Sequence, residues 1–367
     1  MNILFLGDYS NLHTTLAKTL RDSGHIVHVV SDRCGHMNLD CDYFLSRTPG
    51  LAGAFKYIYD IFSLLPSLKD YDVVQLINSN FLKLRPGKIK YFFDRLKEQN
   101  KSVFLTLAGD DYYYCKACYD GKLFRFSEFK TGGEFTRFHK ENPNRLFGWM
   151  NHANKKWAEY LYDKIDGAMS VLPEYDIAAK PVLGEKLSFT NLPIRLEDLP
   201  SPDFKVGSPV RITVGMRSGS EIQKGTQKLL KIAKELETKY PGKILVDNFK
   251  DLAFTDYIKR LQASDIVLDQ LYAYSPAMNA LYAMALGKVA ASGGEEEYYA
   301  YLGNPVSKPV FKLSPFVENI SGKLLDLIEN PEEIVRRGKE GRKLVETYND
   351  SKVVASRFLK HWESVLK

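Results

Sequence analysis

Several signatures that would settle the class of this 367-residue chain are missing from it. No uninterrupted apolar run approaches the roughly 18 residues of a membrane-crossing helix, so no segment reads as a span. Residues 1–7 run directly into a strand pattern, with no basic leader and no cleavage site, which predicts a cytoplasmic protein. Four cysteines are too few for a disulfide scaffold in a chain this long. Cys115 and Cys118 form a Cys-x-x-Cys, and Cys34 and Cys41 a looser pair around His36. That spacing leaves zinc as an alternative; the reading adopted is four reduced, mostly buried thiols and no metal. Also missing is the Gly-x-Gly-x-x-Gly fingerprint after the first strand, where Gly7-Asp8-Tyr9-Ser10-Asn11-Leu12-His13 stands instead. Its absence argues against a dinucleotide-dependent dehydrogenase.

What is present is ordinary in bulk and uneven in detail. A hydrophobic fraction of 44% and a charged fraction of 26% suit a globular protein, and the length allows one or two domains with cores of their own. The formal charge of +6 is concentrated. Residues 81–165 carry 17 Lys and Arg against 10 Asp and Glu, which leaves the rest of the chain near neutral. Such a surplus attracts an acidic partner or is simply a solvated basic surface.

Two halves begin alike. Residues 2–7 form an apolar strand followed by a polar loop and a helix pattern over 12–23; residues 211–215 form another, followed by a loop and a helix pattern over 226–239. Further strands are read at 26–30, 73–77, 102–107 and 167–171, then at 243–246, 266–268 and 288–291. Apolar runs alternating with helical patterns indicate an α/β fold with parallel sheets. Residues 191–209 hold Pro193, Pro200, Pro202 and Pro209 with little periodicity and form the linker candidate. Near the end, residues 331–347 and 351–366 read as helices, with Val354, Phe358, Trp362 and Leu366 in one apolar stripe.

The densest information lies in residues 264–294, SDIVLDQLYAYSPAMNALYAMALGKVAASGG. A short strand ends in Asp269, a turn carries Tyr274-Ser275-Pro276, a helix of strong formers follows, and Gly287 is placed to stop it before the next strand. Turns at the carboxyl edge of such a unit are where open α/β sheets bind ligands, and a helix N-terminus there accepts a phosphate. This stretch resembles the donor-binding segment of GT-B glycosyltransferases, especially the retaining family 4-like group. Residues 282–287, Tyr-Ala-Met-Ala-Leu-Gly, match that group's Glu-Ala-Met-Ala-x-Gly except at the first position. The group carries two glutamates eight positions apart; here those positions are Tyr274 and Tyr282. The resemblance implies two Rossmann-like domains facing a central cleft: an acceptor domain over about 1–195, a donor domain over about 205–348, and a last helix, 349–367, crossing back to the first domain.

A second motif, Val214-Gly215-Met216-Arg217 followed by Gln223-Lys224-Gly225-Thr226, resembles the Gly-x-Arg and Lys-Gly of the same enzymes. The resemblance implies that Arg217 and Lys224, with Gly215, hold the donor diphosphate. Two fixed cations and a helix N-terminus stabilise the charge of a leaving nucleoside diphosphate without a metal, so no metal and no cofactor are expected. Tyr282 stands at the ribose-binding glutamate and can make one hydroxyl contact where a carboxylate accepts two. Tyr274 stands at the donor-sugar glutamate, with Ser275, Asn279 and Asp269 as neighbouring polar groups. Glu295 is a candidate for the missing carboxylate, or else a helix-terminal charge. In the first half, Gly7, Ser10 and Asn11 make the acceptor-side loop, with Ser10 or Asn11 alternatively a helix cap. His13, on the cleft or on plain surface, and Asp110, in an Asp-rich turn with Asp111, are the candidate catalytic groups.

Between residues 112 and 162 aromatics such as Tyr113, Phe126 and Trp157 interleave with cations such as Lys122, Arg125 and Arg137. We read this as an insertion, about 108–160, that receives a glycan or lipid-linked acceptor near a membrane surface; single-stranded nucleic acid is disfavoured because no binding signature accompanies it. The expectation is a transfer of sugar from a nucleotide-sugar, a UDP-sugar first, to a polysaccharide or glycolipid acceptor. The alternatives are a nucleotide-sugar epimerase of similar shape and, because both glutamates are replaced, an inactive binding homologue.

Overall fold

Runs of β-branched and other apolar residues, each followed by a helix with one apolar face, build two parallel sheets in the computed structural model, which describes residues 1–34 and 37–366. His36 lies outside the described residues. In chain order the first elements are β1 (Asn2–Leu6), α1 (Leu12–Asp22), β2 (Ile26–Ser31), β3 (Tyr43–Phe44), α2 (Gly50–Leu64), β4 (Val73–Leu76), α3 (Pro86–Gln99), β5 (Val103–Leu107) and α4 (Tyr112–Asp120). A small hairpin, β6 (Lys130–Thr131) and β7 (Glu134–Phe135), and α5 (Arg137–Glu141) come next. They are followed by α6 (Pro143–Phe147), α7 (His152–Lys164), β8 (Gly167–Ser170), α8 (Pro173–Leu183) and β9 (Leu187–Phe189). The later part holds β10 (Val210–Met216), α9 (Glu221–Lys224), α10 (Thr226–Lys239), β11 (Ile244–Lys250), α11 (Phe254–Gln262), β12 (Ile266–Leu268), α12 (Met278–Ala285), β13 (Val289–Ser292), α13 (Glu296–Tyr301), β14 (Phe311–Lys312), α14 (Ile320–Ile328), α15 (Pro331–Tyr348) and α16 (Ser351–Leu366).

The chain divides into two units. Unit 1 is Met1–Ala117, Asn144–Pro193 and Ser351–Lys367; unit 2 is Cys118–Pro143 and Ile194–Asp350. Unit 1 holds a seven-stranded sheet in the order β3-β2-β1-β4-β5-β8-β9, all parallel. Its central strands are apolar without alternation because both faces are covered. The last helix belongs here: Val354, Phe358 and Trp362 are buried, and Trp362 packs against Phe5 and Phe104. Leu366, read as part of that stripe, is partly exposed.

Unit 2 holds a five-stranded parallel sheet in the order β11-β10-β12-β13-β14. Its core joins Ile212, Val214, Leu229, Ile266, Leu268 and Leu324. Gly287 ends α12 at φ +79°, and a Cβ there would lie 2.8 Å from Phe204, so both conformation and space demand glycine. Residues 118–143 belong to unit 2 and not to an insertion of the first domain. The cause is packing: the Phe126 ring stacks on Tyr274 at 4.5 Å and meets Phe316 edge-on at 5.8 Å. Phe124, Phe126, Phe129, Phe138 and, in unit 1, Trp157 are buried, so these aromatics fill cores and do not present faces to an acceptor.

Candidate functional site

In an open α/β sheet the ligand crevice lies at the carboxyl ends of strands where the strand order reverses. In unit 2 that point is between β10 and β12, which are sequence-distant neighbours flanked by β11 on one side and β13 on the other. The residues ending these strands converge there. The Asp269 carboxylate follows β12 and is almost fully buried. It accepts from Asn279 Nδ2 at 3.1 Å and from Ser292 Oγ at 2.8 Å. Asn279 in turn accepts from the Tyr257 hydroxyl at 2.8 Å, and burial raises that phenol well above its ordinary value. Lys224 Nζ lies 4.0 Å from Asp269 Oδ1. At that distance the attraction holds the ammonium near the carboxylate without consuming its donors, and the Lys224 side chain keeps 39% of its surface exposed.

The backbone fixes this cation. The Lys224 carbonyl accepts from Leu271 N at 2.9 Å, stitching α9 to the segment after β12. Gly225 follows at φ +74° and caps α10, and a Cβ there would lie 2.8 Å from Leu271, so glycine after Lys224 is a steric necessity of this turn. The 14-residue α10 begins beside the ammonium, adding the positive end of its dipole. Gly215 sits in β10, where a Cβ would press on the Phe249 ring at 3.1 Å. Arg217 lies on the exposed loop beyond it, a loop tied down by Ser218 N donating to Asp251 at 3.0 Å.

The two tyrosines at the glutamate positions are both buried. Tyr274 is buried, and its hydroxyl accepts from the backbone N–H of Arg125 at 2.6 Å and of Phe126 at 3.3 Å. The Arg125 guanidinium lies 5.4 Å over the same ring and pairs with Glu295 at 3.0 Å and Glu297 at 2.9 Å. Tyr274 therefore clamps residues 118–143 to unit 2, which corrects the expectation that it faces a donor sugar. Tyr282 is buried edge-on to Phe254 at 5.4 Å and Tyr257 at 6.1 Å, so it is core and not a ribose contact. Ser275 is fully buried, its carbonyl accepting from Gln270 at 3.5 Å. Glu295 is shared by Arg125 and Lys312, the latter at 2.7 Å. It lines a cavity of about 650 Å³ together with Lys308, Lys312, Tyr299 and Arg337.

In unit 1 the expected site residues part company: His13 is turned inward, Ser10 is exposed and Asp110 is partly exposed. His13 is fully buried, neither on an open face nor on plain surface. Its Nδ1 lies 2.7 Å from the Gly7 carbonyl, which fixes the proton there; its Nε2 accepts from Thr106 Oγ1 at 3.1 Å. Thr106 accepts from Gln75 at 2.9 Å, and Gln75 accepts from Trp362 Nε1 at 2.9 Å. Burial lowers His13 to about 3, so it stays neutral and makes a poor base. Asp8, unremarked in the sequence, caps α1 by accepting from His13 N at 3.0 Å and Thr14 N at 3.1 Å. Ser10 and Asn11 are both left-handed at the turn into α1, and a Cβ on Gly7 would lie 2.3 Å from Ile77. Asp110 is partly exposed and pairs with Arg145 at 3.1 Å; burial raises it, Arg145 lowers it and Asp111 raises it again. Asp111 is buried, accepting from Tyr162 at 2.5 Å and from Tyr114 N at 2.7 Å.

All four cysteines are free, and burial raises the Cys34 thiol above its ordinary range. Among the described residues no cluster of three His, Cys, Asp or Glu is arranged to hold a metal, and no helix is long and apolar enough to cross a membrane. Ser292 and Tyr257 complete the Asp269 network and were not singled out in the sequence. The signal for Ser292 is the small polar residue ending β13; Tyr257 gives none.

No known family's sequence profile matches the chain, and no curated protein matches it. Solved structures do. The Anabaena protein Alr3699/HepE, in complex with UDP and glucose, superposes with a TM-score of 0.64 at 12% identity over 99% of this chain and 100% of that one. WaaG, a glycosyltransferase involved in lipopolysaccharide biosynthesis, gives 0.59 at 12% identity over 99% of each chain. A point mutant of S. aureus TarM, in complex with fondaparinux, alpha-GlcNAc-glycerol and UDP, gives 0.56 at 12% identity over 82% of this chain. This chain spans 58% of the length of TarM. The shared architecture is the GT-B fold, two Rossmann-like α/β units.

Proposed function

We propose that unit 2 binds the diphosphate of a nucleotide-sugar, a UDP-sugar first, and that the protein transfers the sugar to a glycan or lipid-linked glycan acceptor. The observation that carries this reading is the half-exposed Lys224 ammonium, held 4.0 Å from buried Asp269 beside the N-terminus of α10 at the sheet's reversal point. In the transfer the bond from the anomeric carbon to the phosphate oxygen breaks and its electron pair leaves on the diphosphate. Lys224 and the α10 N–H groups meet that charge as it develops, and Arg217, on its exposed loop, adds a second cation. The acceptor oxygen bonds the anomeric carbon and its proton passes to the departing diphosphate, which requires no side-chain base. Retention of configuration and independence from metal go with this scheme.

Burial of both Tyr274 and Tyr282 supports a second reading, a homologue that binds nucleotide or glycan without turnover. A screen of nucleotides and nucleotide-sugars by thermal shift and calorimetry separates these readings. Wild type is expected to be stabilised by UDP or a UDP-sugar through mass action, and Lys224→Ala to lose about tenfold or more in affinity with an unchanged fold. Binding without sugar release or transfer supports the second reading. A folded wild type that binds no nucleotide overturns the first reading and leaves only glycan binding of the second.

A further inference from the structure

Helix α2 is the anomaly of unit 1. It buries only the stripe Gly53, Tyr57 and Ile61. On the other side Leu51 is 80% exposed, Phe55 73% and Tyr59 72%, with Phe62 about half exposed. These residues follow one another at spacings of four and three, so they share one face. The only charged residues in the helix, Lys56 and Asp60, pair with each other at 2.6 Å. A helix apolar on nearly every side is ordinarily buried in protein or lipid, and this one leaves its largest apolar side chains in the open.

The ridge continues beyond α2. Phe62 meets Tyr91 of α3 at 5.9 Å, and Tyr91 is itself exposed. Cations gather along it. Residues 83–101 carry seven Lys and Arg against two acids; Lys83, Lys90, Arg95, Lys97 and Lys101 pair with Asp32, Asp94, Glu98, Asp166 and Asp72, which leaves Arg85 and Lys88 as the cations outside these pairs. The Arg95 guanidinium lies 5.6 Å over the Tyr91 ring, Arg47 at the entry to α2 donates to the Lys83 carbonyl at 3.1 Å, and Arg85 and Lys88 are exposed. At about 1.5 Å per residue, the 15 residues of α2 fall well short of a roughly 30 Å hydrocarbon layer, so the helix can lie on a bilayer but not cross one.

We propose that α2 and the adjoining edge of α3 dock unit 1 onto an anionic lipid surface. Leu51, Phe55, Tyr59 and Phe62 enter the boundary between headgroups and acyl chains, while Arg47, Arg85 and Lys88 face the headgroup charges. An apolar ridge bordered by cations matches such a surface in both chemistry and charge. The interleaved aromatics of residues 112–162, the sequence's own candidate for this contact, are largely spent in packing and supply no such ridge.

The test is co-sedimentation of the full chain with vesicles of phosphatidylcholine alone and of phosphatidylcholine with phosphatidylglycerol. Binding is expected to the anionic vesicles, weakening with salt. Leu51→Glu with Phe55→Glu is expected to lower partitioning at least tenfold. Arg85→Glu with Lys88→Glu, which leaves the ridge untouched, is expected to lower it about tenfold on anionic vesicles only. Circular dichroism checks that both variants are folded. No sedimentation of wild type with anionic vesicles at low salt overturns the proposal, as does undiminished binding of the ridge variant. A wild-type dimer in light scattering that the ridge variant converts to monomer also overturns it, because the face would then belong to a second copy of the chain.

Discussion

The carboxyl edges of the two sheets carry similar residue types and use them in opposite ways. In unit 1 the polar groups close on themselves: Trp362 donates to Gln75, Gln75 to Thr106, Thr106 to His13, and His13 to the Gly7 carbonyl. Each of these side chains is buried, and the chain of bonds has no open end. In unit 2 the series Tyr257, Asn279, Asp269 and Ser292 ends beside an ammonium that still faces solvent. A polar network at a strand end is therefore not in itself a binding site. What sets the proposed donor site apart is a terminal charge left with capacity for a ligand.

That contrast can be broken by experiment. The largest effect is expected at His13. Removing it leaves the Gly7 carbonyl and Thr106 hydroxyl unpaired and opens a void, so His13→Ala should cost about 3 kcal/mol or more in denaturant melts without changing nucleotide affinity in the folded fraction. His13 also gives a sign-definite pH signature. Its folded value of about 3 lies below the roughly 6.5 of an unfolded histidine. Between those values the unfolded chain binds the proton that the folded one refuses. Its contribution to stability is thus complete above pH ~6.5 and is lost as pH falls toward 3, at up to about 1.4 kcal/mol per unit. His13→Gln should flatten that part of the stability profile; an unchanged slope would show that His13 is not the group responsible.

A smaller effect is expected at Tyr274, where the hydroxyl serves two backbone N–H groups. Tyr274→Phe should cost about 1–3 kcal/mol and speed hydrogen exchange at residues 125 and 126; unchanged exchange there would mean that the clamp is not formed. The smallest is Arg145→Ala. Its guanidinium is over half exposed against Asp110, so the melt should shift by less than about 1 kcal/mol. A loss as large as that of His13 would place a spent network at Asp110 as well and erase the contrast there.

The architecture was largely readable because it rests on periodicity. Residues 266–268 and 226–239 were read with the bounds that β12 and α10 show, and the strand at 211–215 differs from β10 only at its ends. The short edge strands β3, β9 and β14 are not legible in the sequence: unlike the Ile-Val-Leu of β12, their two or three residues mix apolar and polar side chains or stand too few to read. The site was harder. Lys224 and Asp269 could be named because the turn and strand end around them have local sequence form. The direction in which His13, Tyr274 and Tyr282 point depends on partners such as Thr106, Arg125 and Phe254, far away along the chain, and nothing local encodes it. The place of residues 118–143 in unit 2 is not legible for the same reason: their aromatic content announces burial but not against what.

The buried bond from Trp362 to Gln75 joins residues 287 positions apart. Unit 1 is thus begun by β1 and finished by α16, with all of unit 2 lying between them in the chain. During vectorial synthesis, at about 5–20 residues per second, unit 2 has all its residues before unit 1 does. The sheet that starts with β1 must wait tens of seconds or less for α16, part of its covering still missing. The half that leaves the ribosome first is, in this sense, the one completed second.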